Sequence, residues 1–241
     1  MKTTTIKSFT EFVDLITTQY SCGHHIYRGV TDQVNHTLIP SIGRGGTYDS
    51  SDEDEILAQF KRRSIPSIIT TPKNDWEWLA VAQHYGLPTR LLDWTLSPLV
   101  AAFFATRAQI INNQLAPCCA NGGAVYVLHF CNYVNPEVDE APFEYDKIGV
   151  IYPPHISPRI SGQLGVFTTQ PNPFTELVIT KDDRFPDDIE RITFDSGTSL
   201  EIQQKLFLLG VREDMLFPDL DGYSRSIAYR KLMGDFHFKE C

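Results

Sequence analysis

Trp76 to Ala105 reads WEWLAVAQHYGLPTRLLDWTLSPLVAAFFA, and the local stops within it set the architecture of the chain. Asp75 is placed to cap a helix carrying Trp76, Trp78, Leu79 and Val81, which ends near Gly86 because Pro88 disfavours helical backbone just ahead of it. Residues 89–94 then predict a strand. Ser97 followed by Pro98 is an N-cap and first-turn pair for a helix that buries Leu99, Val100, Phe103 and Phe104. Gln83, His84, Tyr85, Arg90, Asp93 and Trp94 lie between the two apolar runs. Polar and aromatic groups are thus carried at the junction of buried elements, and the candidate site is placed there.

Outward from this block the chain changes character. Residues 8–17 fit a short amphipathic helix with Phe12, Val13, Leu15 and Ile16. His25-Ile26-Tyr27 reads as a strand running into Arg28-Gly29. Residues 52–63 form a helix opened by acidic residues and closed by Lys61, Arg62 and Arg63, which suits the macrodipole; the acidic run 51–55 reads as a solvated helix start. Strand patterns then dominate, at 123–130 (GAVYVLHF), 149–152, 165–169 (GVFTT), 175–179 and 190–194. Residues 199–209 and 220–232 close the chain as helices. The expectation is an α+β fold, one domain over residues 1–241, with a strand-rich mixed or split sheet flanked by helices.

Composition narrows the function. A formal charge of -9 gives no overall electrostatic footprint for a nucleic-acid backbone. Five cysteines, Cys22, Cys118, Cys119, Cys131 and Cys241, include no CxxC pair and no zinc-type His spacing, so neither disulfides nor a metal are expected. The longest apolar run, 99–105, is too short for a bilayer, and no signal-type segment opens the sequence. A cytoplasmic protein without membrane contact is expected. Neither GxGxxG nor GxxxxGK[ST] occurs, which removes the two common glycine-rich phosphate loops.

Ile26-Tyr27-Arg28-Gly29, then Leu38-Ile39-Pro40-Ser41 with Arg44, AQHYGLPTRLLDWTLSPLVAAFFA, GQLGVFTTQ and LFPDLDG together resemble the FRG domain, a bacterial and phage family named for its (F/Y)RG motif. The resemblance spans roughly residues 8–230. In chain order the sequence is also similar to ADP-ribosyltransferases: Tyr27-Arg28-Gly29, a strand Leu91-Leu92-Asp93-Trp94-Thr95 with Ser97 heading the next helix, and Gln163 before the strand 166–169. That second likeness implies a split-sheet fold that takes NAD as substrate, with Arg28, Ser97 and Gln163 as the catalytic positions. Gln163 stands where that family carries Glu. The implied activity is ADP-ribosyl transfer or NAD hydrolysis by a toxin or antiphage effector, with a protein or nucleic-acid acceptor. The alternative is a non-catalytic module that recognises a nucleotide, a nucleobase or a protein partner.

Residue types give each position a role. Arg28 offers a planar fork of donors to a pyrophosphate, and Gly29 lets a ligand approach the backbone. Tyr85 and Trp94 are placed to stack a flat ring, with Tyr27, Gln83, His84 and Thr95 completing the ligand contacts. Asp93 either stabilises positive charge at an anomeric carbon or pairs with Arg90, and the pairing is preferred. Arg159 is a second anion contact. Plainer roles compete: core packing for the tryptophans, capping for Ser97, a helix C-terminal histidine for His84 and a turn tie for Gln163. An NAD site of this kind requires Arg28, Trp94, Ser97 and Gln163 to line one cleft.

Overall fold

The computed structural model of the chain describes residues 1–68, 70–112, 114–153 and 158–232. Its strands are β1 (Lys2–Thr5), β2 (His25–Val30), β3 (Leu92–Thr95), β4 (Ala108–Ile111), β5 (Gln114–Pro117), β6 (Ala124–His129), β7 (Gly149–Ile151), β8 (Gly165–Thr169) and β9 (Glu190–Thr193). Its helices are α1 (Phe9–Gln19), α2 (Asp52–Ser64), α3 (Asp75–His84), α4 (Pro98–Ala105), α5 (Pro158–Gly162), α6 (Ser196–Leu208), α7 (Glu213–Leu216) and α8 (Leu220–Leu232). Seven strands form one mixed sheet in the order β1-β9-β6-β2-β3-β8-β7, and β4 and β5 make a separate hairpin. The fold is α+β, with β1 parallel to β9 and the other neighbours antiparallel.

Side-chain polarity explains the elements. Ser8, Asn74, Ser97 and Asp195 each accept a backbone N–H in the first turn of α1, α3, α4 and α6. Asn74, not Asp75, caps α3. Asp75 is instead the first helical residue and reaches Lys61 of α2 at 2.7 Å, which ties the two helices together. Alternation along the strands sorts the core. Tyr27, Val125 and Ile192 face α1, α4 and α6, while Ile26, Leu128, Trp94 and Val166 face the opposite side, where Leu38, Leu177, Ile179 and Phe185 cover them. α2 and α3 close over Leu91, Phe167 and Ile151 on the β3-β8-β7 half.

Two strand expectations need correction. Residues 175–179 form no strand: Leu177 and Ile179 are buried, but the segment makes a backbone bond from Leu177 N–H to the Leu38 carbonyl and crosses the sheet as a cover. The strand expected at 89–94 begins only at Leu92, because Thr89 and Arg90 are held by groups outside the sheet. β1, a polar KTTT edge, and the β4–β5 hairpin carried no signal of alternating apolar residues.

The join at the centre of the sheet positions the site. β2 pairs with β6 over six residues, but with β3 at one position, Tyr27 opposite Thr95. The sheet is continuous in order yet nearly parted there, into β1-β9-β6-β2 and β3-β8-β7.

Candidate functional site

Arg28 occupies the gap between β2 and β3. It lies within β2 rather than at a strand end, and its Nη1 donates to the Asp93 backbone carbonyl at 2.6 Å, a side chain standing in for the missing ladder. The Asp93 carboxylate is 3.7 Å from the same nitrogen, and the Arg28 side chain is only 14 % exposed. Burial pulls the guanidinium pKa down, Asp93 opposes that, and Arg44 adds repulsion. Its buried Nε has no hydrogen-bond partner among the described residues.

Gly29 has a packing reason. A Cβ there would lie 1.9 Å from the Ala101 carbonyl oxygen and 2.6 Å from the Ala105 nitrogen, so the glycine lets α4 lie on β2. The close approach expected of a ligand is made by a helix.

A cavity of about 610 Å³ opens beside Arg28, of the size that holds a nucleotide-scale ligand. Arg28, Arg44 and Arg107 line it together with His36 and Phe104, and no carboxylate among the described residues does. Each wall is fixed locally. The Ser41 hydroxyl accepts from Thr89 N–H at 3.0 Å, and Ile42 N–H donates to the Thr89 carbonyl, which pins the turn that presents Arg44. Arg44 Nε donates to the Ile39 carbonyl. Asp32 organises the loop after β2, accepting from the Asn121 and Asn35 side-chain amides and from Val34 and Asn35 N–H, bonds that hold its carboxyl far below the usual range. Arg107 follows α4, reaches Glu213 at 3.4 Å and lies 5.7 Å over the Phe217 ring. Arg44 and Arg107 are the residues the sequence reading left without a role. Arg44 had a signal, since it belongs to the quoted motif run; Arg107 had none beyond a cation after a helix.

The Gln83–Asp93 corner adjoins the gap. Gln83 donates to the Asp93 carboxylate at 2.7 Å and accepts from the Thr89 hydroxyl, so it holds Asp93 while Asp93 meets Arg28. The expected Arg90–Asp93 pair does not form. Arg90 instead makes a buried two-point pair with Glu53, Nε to Oε2 at 2.8 Å and Nη2 to Oε1 at 2.9 Å. Its Nη1 takes the Pro142 carbonyl, and the guanidinium lies 5.2 Å from the Phe143 ring. Arg90 is a structural tie among α2, the turn before β3 and the Phe143 loop. The acidic start of α2 is therefore not wholly solvated.

The remaining candidates separate. Trp94 is 4 % exposed and donates Nε1–H to the Thr168 hydroxyl at 2.9 Å within the core. Tyr85 is exposed and borders a different cavity with Phe60 and Leu87, so the two rings do not sandwich a ligand. Tyr27 is buried against α4, and burial pushes its hydroxyl pKa up to about 12. Thr95 donates to the Gln163 carbonyl at 2.6 Å and accepts from Ser97 N–H, which brings Thr95, Ser97 and Gln163 to one end of β3. There Ser97 caps α4 and Gln163 Nε2 donates to the Leu216 carbonyl. Neither lines the arginine cavity. His84 is half-buried at the end of α3; burial and Arg159 lower its pKa against the pull of Asp219. Arg159 is paired with Asp219 and stacked 5.3 Å from Phe217.

Cys22, Cys118, Cys119 and Cys131 are free thiols, and Cys241 lies outside the described residues. No helix among the described residues is long and apolar enough to cross a membrane. Comparison of the chain with curated proteins returns no match. Comparison with solved structures returns none either. A family model does match, over residues 23–114, a narrower span than the motif run alone implies, and every residue lining the arginine cavity falls inside it. The segment from the approach to β2 through α4 and the first strand of the hairpin, residues 23–114, matches the FRG domain model.

Proposed function

We propose that this FRG domain binds a phosphorylated ligand of nucleotide size in the Arg28–Arg44–Arg107 cavity, as a nucleotide-recognition module. The observation that carries the reading is charge placement. In a chain of net charge -9, three guanidinium groups line one cavity and no carboxylate among the described residues shares its wall. Guanidinium forks suit the paired oxygens of a diphosphate, and the unpartnered Nε of Arg28 supplies a further donor at the sheet gap. Phe104 in the lining offers a flat apolar surface to a base.

Calorimetric titration with ADP, NAD, inorganic pyrophosphate and adenosine tests this. ADP or NAD should bind and adenosine should not. Arg44 is exposed and lies outside the sheet. Arg44→Ala should therefore weaken ADP binding about ten- to hundredfold, the worth of one charge-assisted hydrogen bond. Adenosine binding as tightly as ADP, or an Arg44→Ala variant binding ADP like the wild type, would refute the proposal.

A second reading rests on the sheet gap itself. Arg28 and the Gln83-held carboxylate of Asp93 meet where the two half-sheets nearly part. An NAD-consuming enzyme, a toxin or antiphage ADP-ribosyltransferase or NAD glycohydrolase, would use Arg28 to hold the pyrophosphate and Asp93 to face positive charge developing on the nicotinamide ribose. Nicotinamide release from NAD by the wild type, lost in Asp93→Asn while NAD still binds, distinguishes this reading from recognition alone.

A further inference from the structure

The end of β2 opposite the arginine cavity gathers a second set of reactive side chains. Cys22 lies in the turn before β2, and its Sγ sits 3.7 Å from His129 Nε2 and 3.4 Å from His25 Nδ1. His129 Nδ1 in turn meets Asp187 Oδ2 at 2.8 Å. His25 and His129 face each other across the β2–β6 ladder with stacked rings at 4.7 Å, so the strand register sets the cluster. Cys22 and Asp187 are exposed and His129 is partly exposed. These side chains do not form a metal-holding group. Cys22, His129 and Asp187 all lie outside the segment that matches the family.

The bond directions assign the roles. The Asp187 carboxyl is held below its usual range first by the His129 hydrogen bond, so it is an ionised acceptor, and Nδ1 of His129 must carry the proton. In the neutral imidazole of this tautomer, Nε2 keeps its lone pair toward the Cys22 thiol. This is the nucleophile, base and orienting carboxylate in sequence. The other groups facing the cluster are His24, Tyr20, Tyr27, Glu190 and Lys181. Tyr20 is occupied, donating to Glu190 at 2.8 Å. His25 has its pKa lowered, first by burial, which disfavours a competing positive charge there. Cys22 is not in the wall of the arginine cavity or of the one beside Tyr85, and its exposed sulfur is open to small reagents.

We infer that Cys22 is a base-assisted thiol, oriented through His129 and Asp187, that undergoes covalent modification by exchange with low-molecular-weight disulfides. In the step, His129 Nε2 takes the Sγ proton as Sγ attacks one sulfur of the reagent. The Cys22–sulfur bond forms, the reagent's S–S bond breaks, and the departing thiolate collects the proton from His129. Cys22 is oxidised to a mixed disulfide and one reagent sulfur is reduced to a thiol. The cycle reverses with any small thiol.

An unassisted thiol is only a few per cent thiolate at neutral pH, so full assistance raises the rate by at most roughly thirtyfold. The test reacts the full chain with a chromogenic aromatic disulfide at neutral pH and assigns modified cysteines by peptide mass spectrometry. Exposed Cys131 serves as the internal standard. Cys22 should react about tenfold faster than Cys131, and Asp187→Asn, a surface change, should remove most of that advantage while Cys131 keeps its rate. His129→Gln should remove all of it and shift the pH profile of Cys22 labelling to that of a simple thiol. Equal rates at Cys22 and Cys131 in the wild type, or an unchanged ratio in Asp187→Asn, would overturn the inference. Circular dichroism of each variant checks that the fold is retained, and the wild-type ratio alone decides if His129→Gln does not fold.

Discussion

Glu53→Gln removes one charge from a side chain 4 % exposed and leaves opposite it an arginine 6 % exposed. Arg90 cannot lose its proton, and Gln offers a single acceptor with an amide N–H₂ turned toward guanidinium donors. One of the two short bonds, at 2.8 and 2.9 Å, becomes donor against donor. The Pro142 carbonyl and the Phe143 ring still hold the guanidinium, so it cannot swing out to water without giving up both. Breaking a buried pair from one side costs about 3–5 kcal/mol. That is about a fifth or more of the roughly 5–15 kcal/mol that keeps a domain folded. Urea unfolding followed by circular dichroism should show the midpoint falling by roughly 1–2 M with an unchanged slope. The double variant Glu53→Leu with Arg90→Met should recover most of the loss, because an apolar pair of similar volume is often no worse than the ion pair. A single-variant loss below about 1 kcal/mol would refute the reasoning, since it would mean that water reaches Arg90 and that the residue is available to a ligand.

Gly29→Ala tests whether the glycine answers to α4 or to a ligand: with the Ala101 oxygen 1.9 Å from the new Cβ, α4 must shift, and thermal unfolding should report a loss of at least about 1–3 kcal/mol. A variant that melts like the wild type but no longer binds ADP would return Gly29 to the ligand. Asp195 caps α6 through Thr198 N–H at 2.7 Å, and that bond holds its carboxyl below the usual range. A depressed carboxylate contributes fully above its unfolded pKa of about 3.9 and loses that contribution as pH falls through the folded value. Asp195→Ala should therefore cost about 1 kcal/mol at neutral pH, and the gap from wild type should close in acid; a gap that widens in acid would contradict the sign.

What the sequence made legible was local, and what it hid was long-range. Ser97-Pro98 and the cationic end of α2 announced helices because a cap and a macrodipole act within one turn. The 175–179 run was misread as a strand because burial selects the same residues whether or not a ladder forms: Leu177 and Ile179 fill the core without pairing. Arg90 drew attention for the right reason, a charge among apolar residues, but its partner sits 37 positions away in a run whose neighbours are solvated. Trp94 reads from the sequence as a ring that could stack, but the Thr168 hydroxyl across the β3–β8 sheet satisfies its indole N–H internally. Arg28 was legible from its own motif, whereas Arg44 and Arg107 converge on it only once the turn at Ser41 locks to Thr89 and α4 lies on Gly29.

Arg28 also shows why the gap in the sheet and the cavity belong to one device. On β2 it shares a face with Ile26 and Val30, both in the core, so its position would ordinarily take an apolar residue. A guanidinium there gives up most of its hydration and receives one backbone carbonyl, a carboxylate at 3.7 Å and nothing at Nε. A buried charge so incompletely satisfied is costly, and replacing it with leucine would let β2 and β3 zip past Tyr27 and Thr95. Full pairing would seal the gap and remove the arginine floor of the cavity, so the fold keeps both only if stability is traded for an open anion-binding edge. An Arg28→Leu variant that is more stable than the wild type yet binds no ADP is the expected signature of that trade, and a less stable one would mean that Arg28 holds the half-sheets together.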